Sequence, residues 1–127
     1  MTKGKTKSEI KQEYGEFLDG IEWDYFCTFT TPYELTLKSA RRLSGRIAKA
    51  VNIPRAGKMF WGAEKFECKD GYHIHALIQS SVPKRVLWAW YKDRYGRNSI
   101  SNYDTGRRGS EYVTKYVAKE LSDWDLM

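Results

Sequence analysis

Two strand-like stretches separated by a short turn constrain the fold of this chain more than any other feature. Residues 58–67 and 72–79 are rich in aromatic and β-branched residues, and Lys69-Asp70-Gly71 lies between them. A glycine-containing turn between two such stretches typically joins antiparallel strands, whose side chains point alternately to the two faces. The pattern therefore predicts a β-hairpin with its tip at Lys69 and Asp70.

The remaining periodicities predict a second set of elements around this hairpin. Residues 23–31 indicate a strand, residues 36–51 and 83–95 indicate helices, and residues 98–104 indicate a further strand. The order β-α-β-β-α-β predicts an α+β fold of the split βαβ, ferredoxin-like type, with helices on one face of an antiparallel sheet and an open opposite face. Further helices are expected at residues 8–20 and 110–121, with Trp124 continuing an apolar stripe of the last one. We expect residues 1–127 to form one domain, with residues 1–7 as a mobile basic arm.

The positive charge is concentrated in two blocks. The net charge is +6, and residues 38–58 contain seven cations and no acids, whereas residues 84–108 contain seven cations and two acids. Clustered lysine and arginine favour a phosphate backbone, because neutralising it releases counterions. No apolar run approaches the roughly 20 residues that a membrane helix needs, so we expect a soluble, cytoplasmic protein. No glycine-rich phosphate loop is present, which argues against a nucleotide cofactor.

The two histidines of the chain occupy alternate positions in the predicted second hairpin strand, as His73-Ile74-His75. Residues two apart on a strand share a face, so we expect both imidazoles, with Leu77 and Gln79, on the open face. With the tip at Lys69 and Asp70, Glu64 falls opposite His75, and Phe66 falls opposite His73. Glu67 is the competing carboxylate, because a one-residue change of register would move Glu64 to the other face. Two imidazoles and a carboxylate suit a catalytic divalent metal, Mn²⁺ or Mg²⁺, although Co²⁺ or Zn²⁺ can bind such ligands.

The predicted last helix carries a stripe of polar aromatic residues. Tyr112, Tyr116 and Lys119 are spaced i, i+4, i+7, and Lys115 is adjacent. Phenol oxygens beside a metal can attack phosphorus, and lysines can stabilise the phenolate or the phosphate. An amphipathic helix that only packs its tyrosines remains the alternative interpretation of this stripe.

Taken together, three segments resemble the motifs of the HUH endonucleases, the superfamily of rolling-circle replication initiators. The aromatic strand with threonines at residues 26–31 is similar to the first motif, and the pair His73 and His75 to the second. The third motif, Tyr-x-x-Lys on a helix, is matched at residues 112–115 and again at residues 116–119. The doubled tyrosine looks most like the two-tyrosine initiators of single-stranded DNA phages and related elements.

The resemblance implies a sequence-specific nickase and ligase of single-stranded DNA that starts rolling-circle replication of a viral or plasmid genome. Tyr116 would be the first nucleophile and Tyr112 the second, while Lys115 and Lys119 would offset the developing charge. The implied partners are single-stranded DNA at a replication origin and a host helicase and polymerase, with the protein acting as a monomer or homodimer in the host cytoplasm.

The second basic block and two threonines are the predicted contacts with the unpaired strand. These residues are Thr28, Thr30, Lys84, Arg85, Arg94, Arg97, Arg107 and Arg108. Two other functions remain open: a transposase or mobilisation relaxase with the same chemistry, and a non-catalytic module that binds single-stranded nucleic acid.

Overall fold

The computed structural model of the chain describes residues 16, 18, 20–103 and 123–127. These residues form five strands and two helices with defined bounds. In chain order they are β1 (Tyr25–Phe29), α1 (Leu37–Ala50), β2 (Lys58–Lys65), β3 (Tyr72–Gln79), α2 (Lys84–Tyr95), β4 (Asn98–Asn102) and β5 (Asp123–Leu126).

The five strands form one antiparallel sheet in the order β4-β1-β3-β2-β5. Strand β3 lies between β1 and β2, so a strand of the second β-α-β unit splits the first unit. This arrangement confirms the predicted α+β, split βαβ plan.

Helix α1 begins where the sequence predicts, because Thr36 and Ser39 form a reciprocal cap. The Thr36 hydroxyl accepts a hydrogen bond from the Ser39 amide at 3.1 Å, and the Ser39 hydroxyl accepts one from the Thr36 amide at 2.8 Å. Such a capping box satisfies amides that the first turn leaves without partners. The apolar side of α1, with Leu43 and Ile47 at its centre, packs on the sheet.

Helix α2 follows Pro83 and ends before Gly96, whose φ of 98° is accessible to glycine at little cost. It buries Leu87 and Tyr91 against the sheet. The main core therefore lies between the two helices and one face of the sheet. The strand residues that it includes are Cys27, Phe29, Met59, Trp61, Ala63, Ile74, Ala76 and Ile78.

The opposite face of the sheet is open only in part. Leu18, Trp23, Phe60 and Leu77 form a second apolar cluster there, and Leu77 is only 2% exposed. The Trp23 indole donates a hydrogen bond to the Leu18 carbonyl at 3.0 Å, which ties the segment before β1 to this face. The expectation that Leu77 faces open space is therefore wrong, because this segment covers that end of the face.

The hairpin of β2 and β3 differs from the predicted one in its register. Glu64 pairs with His73, and Gly62 pairs with His75. The connecting loop contains residues 66–71 and is closed by a hydrogen bond from the Phe66 amide to the Gly71 carbonyl at 3.1 Å. The predicted pairs of Glu64 with His75 and Phe66 with His73 are therefore displaced by two residues. A displacement of two preserves the face, so Glu64 still lies beside both histidines.

Strand β5 was not predicted. Residue 124 pairs with Gly62 in this strand, which corrects its assignment to the stripe of the last helix. Just beyond the strand, Met127 exchanges two backbone hydrogen bonds with Met59. Within the strand, Asp125 forms an ion pair with Arg41 of α1 at 3.1 Å. The C-terminal residues are thus joined both to the edge of the sheet and to a helix.

Several predicted segments fall outside the described residues. They are the basic arm at residues 1–7, most of the helix at residues 8–20, and the helix at residues 110–121. Within the described part of the chain, neither α1 nor α2 has the length and apolar character that a bilayer-crossing helix requires.

Candidate functional site

Neighbouring strands bring Glu64, His73 and His75 together on the partly open face. The Glu64 Oε2 atom lies 3.2 Å from Nε2 of His73 and 2.8 Å from Nε2 of His75. One ligand atom of each residue lies within 4.8 Å of the others. The sheet produces this convergence directly, because His73 and His75 alternate along β3 and Glu64 pairs with His73 from β2.

Aromatic rings restrict the two imidazoles. The Phe66 ring lies 4.6 Å from the His73 ring, and the Phe26 ring is stacked on the His75 ring at 6.2 Å and 8°. The side chains of Glu64, His73 and His75 are only 13%, 16% and 12% exposed, respectively. Partial burial strengthens electrostatic interactions at these groups relative to open water.

Thr28 of β1 contacts this group through His75. Its Oγ1 atom lies 3.2 Å from Nδ1 of His75, and the two residues are paired across β1 and β3. When Nε2 of a histidine binds a metal, the ring proton is on Nδ1 and needs an acceptor. The Thr28 hydroxyl is placed to be that acceptor.

The donor set of this cluster fits a divalent cation. Two imidazole nitrogens and a carboxylate oxygen are ligands for Mn²⁺, Co²⁺ and Zn²⁺, and ions of this class bind at about 2.0–2.3 Å. Donor atoms within 4.8 Å of one another can surround one ion at such distances. Nδ1 of His73 is buried and makes no hydrogen bond within the described residues. Glu67 is exposed and outside the group, which favours Glu64 as the carboxylate.

The end of β1 is tied to the segment between α2 and β4. Thr30 donates a hydrogen bond from its hydroxyl to the Arg97 carbonyl at 2.9 Å, and its own carbonyl accepts one from the Tyr91 hydroxyl at 2.6 Å. Burial raises the pKa of the Tyr91 phenol, so this hydroxyl remains a donor across the neutral range. These contacts position Arg97 beside Glu64, His73 and His75, here called the candidate metal-ligand cluster.

A concave region connects these residues. Its part beside His73, here called the inner pocket, has a volume of about 400 Å³ and is also lined by Thr28, Phe66 and Arg97. The neighbouring outer pocket, of about 460 Å³, follows the end of α2 and is lined by Lys69, Lys92, Arg94 and Arg97 among others.

The structure separates the residues that the second basic block joins in sequence. Arg94 and Arg97 line the outer pocket, whereas Lys84 and Arg85 lie at the other end of α2. A helix of 12 residues is about 18 Å long, so these two ends are far apart. The start of α2 adjoins the start of β1, where the Tyr25 hydroxyl donates to the Val82 carbonyl at 2.8 Å.

The predicted catalytic side chains Tyr112, Tyr116, Lys115 and Lys119 lie outside the described residues, as do Arg107 and Arg108.

Sequence reasoning did not assign Phe66 or Lys69 to the site, and it included Lys92 only as a member of the second basic block. Phe66 was expected on the same face as the histidines, and that position was the available signal for it. Lys69 lies in the hairpin loop with Nζ 4.4 Å from the centre of the Phe66 ring. Lys92 lies at the end of α2, which reaches the site only through the tertiary fold.

No protein-family model, curated protein or solved structure matches this chain.

Proposed function

We propose that this chain is a metal-dependent endonuclease that nicks single-stranded DNA with a tyrosine nucleophile and thereby starts rolling-circle replication. The observation that carries the proposal is the convergence of His73, His75 and Glu64 on one face of the sheet, with Oε2 of Glu64 within 3.2 Å of both Nε2 atoms. A non-catalytic binding sheet has no need for three metal-binding side chains at this spacing.

The surroundings of the cluster support a reaction at phosphorus. Arg97 lines the pocket beside His73, and a guanidinium binds phosphate oxygens well. A divalent ion held by Glu64, His73 and His75 would polarise a scissile phosphate as a Lewis acid. The protein side chains would hold the unpaired strand so that one phosphate lies at these ligands.

The motif resemblance supplies the proposed nucleophiles. The Tyr116 oxygen would attack phosphorus, and the bond from phosphorus to the 3′ oxygen would break. The products are a 5′-phosphotyrosine and a free 3′-hydroxyl, which receives a proton and can prime synthesis. Tyr112 would serve the second transfer, and Lys115 and Lys119 would stabilise phenolate or phosphate charge. The proposed setting is the cytoplasm of a host cell, with a host helicase and polymerase.

The test is an assay for covalent adducts between the protein and a wide pool of single-stranded oligonucleotides, with Mn²⁺ or with a chelator. We expect an adduct that survives denaturing gel electrophoresis, requires Mn²⁺, and is lost in the Tyr112→Phe Tyr116→Phe double variant. Tyr33→Phe is the matched control, because Tyr33 is an exposed phenol, 52% accessible, on a different segment.

The single variants distinguish the two tyrosines. An adduct that persists in Tyr116→Phe and disappears in Tyr112→Phe would reverse the order of the nucleophiles. Binding of the pool without any adduct, in either metal condition, would favour a non-catalytic single-strand-binding module instead. The proposed chemistry is shared by transposases and relaxases, and the sequence at the cleaved site would distinguish an origin from a transposon end.

A further inference from the structure

Two loops face each other beside the metal-ligand cluster and form one continuous groove. The inner and outer pockets share Thr30, Phe66 and Arg97 in their walls. We call this region the Phe66–Arg97 groove. One wall is the hairpin loop after β2, and the other is the segment from the end of α2 to the start of β4.

Phe66 offers an aromatic surface at the midpoint of the groove. It is only partly buried, and it lines both pockets. One of its contacts is the ammonium group of Lys69, 4.4 Å from the ring centre, on an exposed and flexible side chain. A nucleobase can replace such an ammonium on the ring, because stacking on an aromatic ring is favourable for every base. The ammonium is then available to a phosphate.

The outer pocket is strongly cationic. Its walls include the four cations Lys69, Lys92, Arg94 and Arg97, against the single acid Asp93. Arg94 and Lys92 lie over tryptophan rings of their own helix, at 4.9 Å in each case. The Arg97 guanidinium, by contrast, forms no hydrogen bond or ion pair with any other described residue, although its backbone carbonyl is fixed by Thr30.

The groove leads to the candidate metal-ligand cluster of Glu64, His73 and His75. His73 lines the inner pocket, and its ring lies 4.6 Å from that of Phe66. A strand with one base on Phe66 and a neighbouring phosphate on Arg97 would therefore pass next to the ligand side chains. An acidic peptide would use the cations but would gain little from Phe66, so the combination favours a nucleic acid with unpaired bases.

We infer that the Phe66–Arg97 groove binds single-stranded DNA, with one unpaired base stacked on Phe66 and the adjoining backbone phosphate held by Arg97. This inference rests on the proposed function for the choice of DNA as the nucleic acid. Phe66 and Arg97 then position the nucleotide next to the metal ligands, whereas Lys84 and Arg85 do not contact that nucleotide.

The test is fluorescence anisotropy of a labelled mixed-sequence DNA single strand with the full-length protein in EDTA, so that no metal contributes. Phe66→Leu keeps apolar volume beside His73 but removes the ring, and it should weaken binding between about fivefold and about a hundredfold. Phe66→Trp should bind as tightly as the wild type or more tightly. Circular dichroism and thermal unfolding would verify that each variant is folded.

Arg97→Gln has a matched control in Arg42→Gln, which removes the same charge from an exposed position on α1, the helix that packs on the other face of the sheet. We expect Arg97→Gln to reduce the slope of log affinity against log salt by about 0.7, the value for one phosphate contact on a single strand. Arg42→Gln should leave affinity and slope near those of the wild type. Equal effects of the two variants would overturn the inference, since general charge would then explain binding.

Three further results would also overturn it: wild-type affinity in Phe66→Leu, equal affinity for duplex and single strand, and tighter binding of an RNA strand of the same sequence. The proposed function fails separately. Wild-type protein that binds through Phe66 and Arg97 but forms no Mn²⁺-dependent adduct would retain the groove and end the nickase proposal. An adduct that forms while Phe66→Leu binds normally would do the reverse.

Discussion

The contact between Thr28 and His75 should contribute to the affinity of the candidate site for a divalent metal. Replacing Thr28 by valine keeps the shape of the side chain and removes the hydroxyl that lies 3.2 Å from Nδ1 of His75. A metal on Nε2 requires the proton on Nδ1, and valine leaves that donor without its partner. In the metal-free protein the ring can adopt the other tautomer, with its proton on Nε2, whereas a ring that binds metal through Nε2 cannot. We therefore expect Thr28→Val to weaken metal binding.

The size of the effect follows from the nature of this hydrogen bond. Partners of metal-bound histidines typically contribute about tenfold to a hundredfold in affinity. The Thr28 hydroxyl is neutral, and 3.2 Å is at the long end of the usual range for this kind of bond. A neutral hydrogen bond contributes about 0.5–1.5 kcal/mol, which is roughly a twofold to tenfold change in affinity. We expect a loss within that range for Thr28→Val.

The assay is titration with Mn²⁺ followed by electron paramagnetic resonance, with Co²⁺ absorption as a second readout. Thr28→Ser is the matched control, because it keeps the hydroxyl and loses only a methyl group, and its affinity should be close to that of the wild type. If Thr28→Val were folded and bound both metals as tightly as the wild type, the reasoning about His75 would be refuted. If Thr28→Ser lost as much affinity as valine, packing rather than hydrogen bonding would be the cause.

Three further predictions concern the ligand set, the buried titratable groups and the second apolar cluster. Glu64→Gln should weaken Mn²⁺ binding by more than about a hundredfold, which is beyond the effect of residues that only hydrogen-bond to a metal ligand. Glu67→Gln, the same change at an exposed position, should leave Mn²⁺ binding intact, and equal losses in the two variants would show that Glu64 is not a ligand. Burial raises the pKa of the Cys27 thiol and the Tyr91 phenol above their ordinary values of 9.0 and 10.0, so both stay protonated in the folded protein when they ionise in the unfolded chain. The stability that these two neutral groups contribute is complete below their pKa values in the unfolded chain and is lost as pH rises toward their pKa values in the folded protein. The free energy of unfolding in urea should fall by up to about 1.4 kcal/mol per pH unit and group over that range, and Cys27→Ala should reduce this slope near pH 9. Leu77→Ala should lower the free energy of unfolding by about 2–5 kcal/mol, because Leu77 is 2% exposed, and a loss below about 1 kcal/mol would mean that the cluster is loosely packed.

The sequence was sufficient where local signals and burial agree. Strand β3 has the predicted bounds, and α1 lies within the predicted range of residues 36–51, with Thr36 and Val51 as its caps. The apolar period of α1 and the alternation in β3 are repeated over many residues, so a single unusual residue does not obscure them. The pairing of His73 and His75 on one face follows from the period of two alone.

The sequence was insufficient where long-range contacts decide. The hairpin register depended on a loop of six residues whose closing bond, from Phe66 to Gly71, no turn motif specifies. Strand β5 has four residues, too few for a periodic pattern, and it forms by pairing with the edge of β2. The chain order also could not show that one helix separates Arg85 from Arg97, because both belong to one basic run.

The division of one sheet face into an apolar end and a polar end explains how the site is held. Phe26 and Leu77 are paired in one row across β1 and β3, and the next row on the same face pairs Thr28 with His75. The apolar row packs into the second cluster, while the Phe26 ring also stacks on His75. Burial of the first row thus fixes the backbone and one ring face of the second row. Metal affinity should then depend on the rigidity of the paired strands more than on the exposure of the ligand side chains. A carboxylate and two imidazoles that paired strands hold in place need little reordering when an ion binds.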